Sequence, residues 1–429
     1  MRQQRNYRRR SHRRMRRPYY RRNSPPKNHD HLLIRLWNFL SRVFDSVFPK
    51  KEKQKHGQIV PFFSEPLSNI EFLPALFSSY PELIGRLPWV SLRGCESPST
   101  PKKVSRAQHY FGNNHIFIKR ESRDADLISE SQAKKLEFVL GDILQQNPDE
   151  IIYFGEVEDA WNLALAQACS IIKMPLRMYL LDAEKTAEED FDLVGIRSLG
   201  VNLRILESET QINRYKRWQK MRARFKKIVI LPDEMKLPVA VLGYAGALFE
   251  IKTAVERAEL PLPQIVFVPV DTGVSFAGLE ISRRLCGFSQ MTLIGIVNDE
   301  SRVSSAQELV DLMSGAASLL TPHLQGLDLG AFSDKDFQIL EVKPEESQLP
   351  HLVRWSSRFM ELEGVELETE FSAPALKKMV EVVEDKAWDS KVLLFWNSYS
   401  GQRNFDLGGR EFLEVKESVR RKKFVRRSS

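Results

Sequence analysis

The 429-residue sequence predicts an α/β protein with mostly parallel sheet, divided into two lobes. From about residue 114 onward, short β-branched runs alternate with longer amphipathic stretches, the signature of βαβ units. The runs are His115–Lys119, Ile151–Phe154, Leu176–Leu181, Leu203–Leu206, Ile228–Leu231, Ile265–Val270, Leu293–Val297 and Val392–Phe395, enough strands to favour two sheets over one. The hydrophobic content of 42% against 28% charged residues suits a chain long enough for two packed domains.

Residues 1–30 hold eleven arginines and Lys27 against Asp30, with Tyr, Asn and Pro between them. Such a segment buries no core and is read as a disordered basic tail. Residues 31–49 follow, with polar positions at 35, 38, 41/42 and 45/46. That spacing leaves a broad apolar helical face, ended by Pro49. Between the Arg tail and Lys50–Lys55, this helix has the form of one lying on an anionic membrane surface, and equally of one packing on the protein's own body. An organellar transit segment is a third reading of the same Arg-rich, acid-poor stretch. Residues 50–75 read as a linker, and 413–429 as a second basic tail carrying Arg420, Arg421, Lys422, Lys423, Arg426 and Arg427. The total charge is +8, so once the tails are set aside the body is acidic and a polyanion meets the tails. Tyr7, Tyr19 and Tyr20 among the arginines are suited to stacking on nucleic-acid bases. Cys95, Cys169 and Cys286 are odd in number and lack C-x-x-C spacing, which favours neither a disulfide framework nor a zinc site. They point to a reducing, cytoplasmic setting. No run reaches the roughly 18 consecutive apolar residues of a membrane span.

The motifs carry more specific information. Lys119–Glu137 leads from a strand into a helix and resembles, with one residue fewer in its variable stretch, the run K-R-D-D-L-x(6)-G-G-N-K-x-R-K-L-E of the 1-aminocyclopropane-1-carboxylate (ACC) deaminases and D-cysteine desulfhydrases. Lys119, Arg120, Lys135, Leu136 and Glu137 match; Ser129, Glu130 and Ser131 replace G-G-N, and Gln132 replaces the lysine. The segment from Gly155 to Trp161 falls on G-G-x-Q-S-N-H, Leu242-Gly243-Tyr244 on a G-x-x-G-Y helix, and Val270–Leu279 on the G-S-G-G-T-x-A-G-L turn. Glu370–Ala375 corresponds to V-Y-T-G-K-A, and Trp396–Tyr399 to H-T-G-G.

The resemblance, over about residues 86–405, implies the two-lobed fold type II of pyridoxal-phosphate (PLP) enzymes, related to the tryptophan synthase β-subunit, with twisted, mostly parallel sheets. It implies a large lobe from 76–128 and 232–412, a small lobe from 129–231, and a homodimer. In that family the lysine forms an imine with PLP, which the amide of Gln132 cannot do. Asp159 and Ala160 stand where serine and asparagine contact the substrate carboxylate; Asp159 repels one, and Trp161 fills part of the pocket or simply packs. Thr272, Gly273 and Ser275 still offer hydroxyls and amides to a phosphate, whereas Asp271 adds negative charge and Val274 a side chain. Phe371 replaces the family's tyrosine, and Asn397 takes the place of the threonine that bonds the pyridine nitrogen. Lys134 and Lys135, two and three residues beyond Gln132, are turned roughly 200° and 300° around the helix and are expected not to take its role. The sequence thus predicts a divergent member without PLP catalysis. The alternatives are a PLP-dependent lyase or deaminase acting on D-cysteine or a related amino acid through a non-standard site, and a tail-mediated binder of anionic membrane or nucleic acid.

Overall fold

The computed structural model describes residues 73–92, 99–121, 128–157, 159, 161–182, 191–232, 235–299, 301–324, 326–343 and 349–398. The basic tails, the predicted helix over 31–49, Cys95 and Ala160 lie outside the described residues. All described residues belong to one compact unit within Ile59–Ser429.

Two sheets organise it. The larger has the order β1-β2-β10-β7-β8-β9, formed by β1 (Lys102–Lys103), β2 (His115–Arg120), β7 (Ile265–Pro269), β8 (Thr292–Val297), β9 (Gln338–Glu341) and β10 (Val392–Asn397). The smaller has the order β5-β4-β3-β6, formed by β3 (Glu150–Glu156), β4 (Leu176–Leu181), β5 (Asn202–Leu206) and β6 (Ile228–Ile230). Every pairing is parallel except β1 with β2. In the larger sheet Leu394 of β10 stands opposite both Phe117 and Val266. Helices cover the faces of a parallel sheet, so its central strands are apolar throughout. In β7 the run Val266-Phe267-Val268-Pro269 is buried at every position.

The eight predicted strands are present, and β1 and β9 are additions. Both are short and exposed at the sheet's edges, Lys102–Lys103 and Gln338–Glu341, with no apolar alternation to announce them. Two glycines allow backbone to pack closely on the helix Glu130–Gln145. A Cβ on Gly243 would lie 2.0 Å from the Lys134 carbonyl oxygen, and one on Gly141 would lie 2.4 Å from the Trp89 nitrogen. The helix Glu130–Gln145 is thereby held between backbone segments on two sides. Burial pushes the thiols of Cys169 and Cys286 up to about 12, which suits inert packing residues. Among the described residues no helix is long and apolar enough to cross a membrane.

Candidate functional site

A cavity of about 670 Å³ opens where strands of both sheets end at their carboxyl termini. Pro269 ends β7, Ser398 follows β10, Glu156 ends β3 and Leu181 ends β4, and all four line it. Open parallel sheets bind ligands at this edge, because the strand-to-helix turns there present backbone N–H groups and helix N-termini.

Gln132 lies in the first turn of the helix Glu130–Gln145 and lines the cavity. Ser129 caps that helix: its Oγ accepts from the Gln132 N–H at 3.3 Å and donates to Gln132 Oε1 at 3.0 Å. The amide is therefore held locally. Lys135, which the sequence reading turned away from the face of Gln132, lines the same cavity. A rotation of 300° forward is 60° back, so residues three apart share a helix face. Its ammonium lies 5.1 Å from the Trp161 ring centroid and 5.7 Å from that of Tyr244. Burial lowers its pKa from the usual lysine range, against the opposing pull of Asp271 and Glu121.

The opposite face of this helix carries Glu130 and Lys134 into a buried charge cluster. Lys134 Nζ lies 2.8 Å from Glu130 Oε1, 3.0 Å from Glu121 Oε1 and 3.1 Å from Glu250 Oε1. Lys119 Nζ lies 3.2 Å from Glu130 Oε1 and 2.9 Å from Glu250 Oε2. The Tyr244 hydroxyl donates to Glu121, and Trp396 flanks both ammoniums at 5.8 and 5.9 Å. Although burial opposes its charge, Glu130, Glu250 and Glu121 raise Lys134 above the usual lysine range. Lys134 is thus a structural cation, not an available amine.

The remaining predicted residues divide. Asp159, Trp161, Thr272, Ser275 and Phe371 line the cavity with Gln132, whereas Gly273 and Asn397 do not, and Ala160 is outside the described residues. Gly273 is the N-cap of the helix Val274–Leu285, with φ of 82°, and its Cα faces Leu309 and Val303 so closely that a Cβ would lie 2.4 and 2.8 Å from them. Asn397 is buried, and its amide donates to the Glu366 carbonyl at 2.9 Å. That bond directs it away from the cavity, where Ser398 stands instead.

Asp159 accepts from the Tyr153 hydroxyl at 2.8 Å and the Trp161 N–H at 3.1 Å, and Arg302 lies 3.6 Å away. Arg302 also grips Asp271 with two bonds, 2.9 and 2.6 Å long. One guanidinium so ties the turn after β7 to the turn after β3. Glu368 lies across the cavity; burial pushes its carboxyl up to about 7, the Ser372 N–H draws it down, and Glu370 and Asp271 add to the rise. Sequence reasoning missed Tyr153, Arg302 and Glu368. Tyr153 looks like any aromatic strand residue, and the other two lie in connections without a motif.

No family model matches the chain. It is 25% identical over 243 residues to a putative ACC deaminase of Pyrococcus abyssi, covering 56% of this chain and 71% of that protein. To the mitochondrial bifunctional D-cysteine desulfhydrase/ACC deaminase of Arabidopsis thaliana it is 23% identical over 333 residues, covering 72% and 79%. Among solved structures, an ACC deaminase homologue superposes with a TM-score of 0.61 at 18% identity, covering 77% of this chain and 96% of that one. An O-acetylserine sulfhydrylase of Entamoeba histolytica gives 0.51 at 12% identity, covering 73% and 89%. The chain has the fold of the PLP-dependent type II enzymes, and its sequence is similar to those of the PLP-dependent ACC deaminases and D-cysteine desulfhydrases.

Proposed function

We propose that this chain is a non-catalytic relative of the ACC deaminases and D-cysteine desulfhydrases, in which the cleft between the sheets has lost the chemistry of PLP. The residues present do not fit the cofactor. Gln132, at the lysine's position, is an amide without a nucleophilic amine, and it is bonded to its own N-cap. The turn that would cradle a phosphate begins with the carboxylate of Asp271, already paired with Arg302. Phe371 brings no hydroxyl, and Asn397 is committed elsewhere. The single observation that carries the proposal is this occupation of the cleft's polar groups by one another: Asp159 by Tyr153 and Trp161, Asp271 by Arg302. The cavity itself persists, and small-molecule binding within it belongs to the same proposal, as does the homodimer implied by the relatives.

One observation favours a second reading, in which the chain is a PLP-dependent lyase or deaminase: Lys135 places an amine of lowered pKa in the same cavity as Gln132. Borohydride reduction of the protein mixed with PLP, followed by peptide mapping, separates the two. The first reading yields no adduct in the cleft; the second yields one on Lys135.

A further inference from the structure

The helix Glu209–Arg222 joins the two edge strands of the smaller sheet and packs its inner face against that sheet. Ile212 and Gln219 are buried, Tyr215 stacks on Tyr179 with ring centroids 4.8 Å apart, and Arg222 reaches Glu150 at 3.0 Å. These contacts fix which residues face outward. Trp218, Met221 and Phe225 are 43%, 52% and 69% exposed. They are spaced i, i+3, i+7, and backbone bonds from Ala223 to Gln219 and from Lys226 to Arg222 carry the helical path through all three. The result is a solvent-facing apolar row about 10 Å long. The same stretch is strongly cationic, although Lys216 lines the cavity and Arg222 is paired with Glu150. Residues 213–227 contain Arg214, Lys216, Arg217, Lys220, Arg222, Arg224, Lys226 and Lys227 and not one acidic residue, on a body that is otherwise acidic.

We infer that this face is an interfacial binding site for anionic membrane lipid. An apolar row bordered by arginine and lysine enters the headgroup region while the cations meet lipid phosphates and carboxylates. Each cation near a negative surface adds to the attraction, and the apolar row adds burial that a purely electrostatic contact lacks. The alternatives suit the face less well. A second copy would bring like charges together. Single-stranded nucleic acid uses aromatic platforms within a groove, whereas this row lies on the exposed side of one helix and is interrupted by Met221, which offers no ring to a base. The site is distinct from the basic tails.

Flotation of the full-length chain with phosphatidylcholine vesicles, with and without phosphatidylserine, tests the inference. Binding requires phosphatidylserine, and the combined variant Trp218→Ser/Met221→Ser/Phe225→Ser weakens it about tenfold or more, while the tails remain intact in both proteins. Because all three positions are exposed, the melting temperature of the variant matches the parent. Bromine-labelled acyl chains quench the parent's tryptophan emission, and Trp218→Phe removes part of that quenching. Vesicle binding unchanged by the triple variant, or quenching unchanged by Trp218→Phe, overturns the inference. So does a triple variant that loses affinity for a single-stranded oligonucleotide while keeping its affinity for vesicles, since the row then serves nucleic acid.

Discussion

Replacing Lys134 by Met removes the cation shared by Glu121, Glu130 and Glu250, whose oxygens lie 2.8–3.1 Å from its Nζ. All four side chains are less than a tenth exposed, so water cannot take the ammonium's place. Lys119 still reaches Glu130 and Glu250, but Glu121 keeps only the Tyr244 hydroxyl among the contacts described above. Leaving a buried charge uncompensated costs about 3–5 kcal/mol. The protein's escape is protonation. In the variant a carboxyl of the cluster has its pKa raised above the unfolded value, so the folded state binds the extra proton and the deficit grows as pH rises. Urea unfolding followed by circular dichroism at pH 5 and pH 8 measures both effects. Lys134→Arg, which retains the charge, is expected to recover much of the loss. A Lys134→Met deficit below about 1 kcal/mol, or one equal at the two pH values, would refute the assignment of Lys134 as the cluster's structural cation.

Gly243→Ala places a methyl 2.0 Å from the Lys134 carbonyl oxygen, forcing the turn at Gly243 away from the helix Glu130–Gln145; a loss of about 1–3 kcal/mol or more is expected in the same urea assay, and a neutral result would show that the two segments separate freely. Glu368 has its folded pKa raised from 4.5 to about 7, so the folded state holds the proton longer and stability falls as pH rises through that window. Discounted for the residue's partial exposure, the fall amounts to about 2 kcal/mol. Glu368→Gln abolishes it, and an unchanged pH slope in thermal melts counts against the shift. Arg302→Gln leaves Asp159 and Asp271 without their shared cation. Their carboxylates then repel any anion, so the variant's cleft binds anionic small molecules more weakly than the parent's in isothermal titration, and equal or tighter binding contradicts the bridging role.

Much of the fold was legible because parallel strands buried on both faces write themselves as continuous apolar runs, as in Ile265–Pro269 and Val392–Asn397. Lys102–Lys103 and Gln338–Glu341 were not legible, since an exposed edge strand needs only a neighbour's backbone groups. In the site, the residues picked out by motif register, Gln132, Asp159, Trp161, Thr272, Ser275 and Phe371, line one cavity. Register alone did not reveal what each side chain bonds. Asn397 turned to Glu366, and the cation holding Asp271 came from Arg302 in a distant connection. The face of Lys135 was misjudged for a simpler reason: helix angles near a full turn return to the starting face.

The absorbance spectrum of the purified full-length protein titrated with PLP, before and after borohydride, bears most directly on the loss of cofactor chemistry. No visible band of lysine-bound PLP is expected in the parent, and no covalent adduct in the cleft. A stable visible band, fixed by reduction onto Lys135, would contradict it.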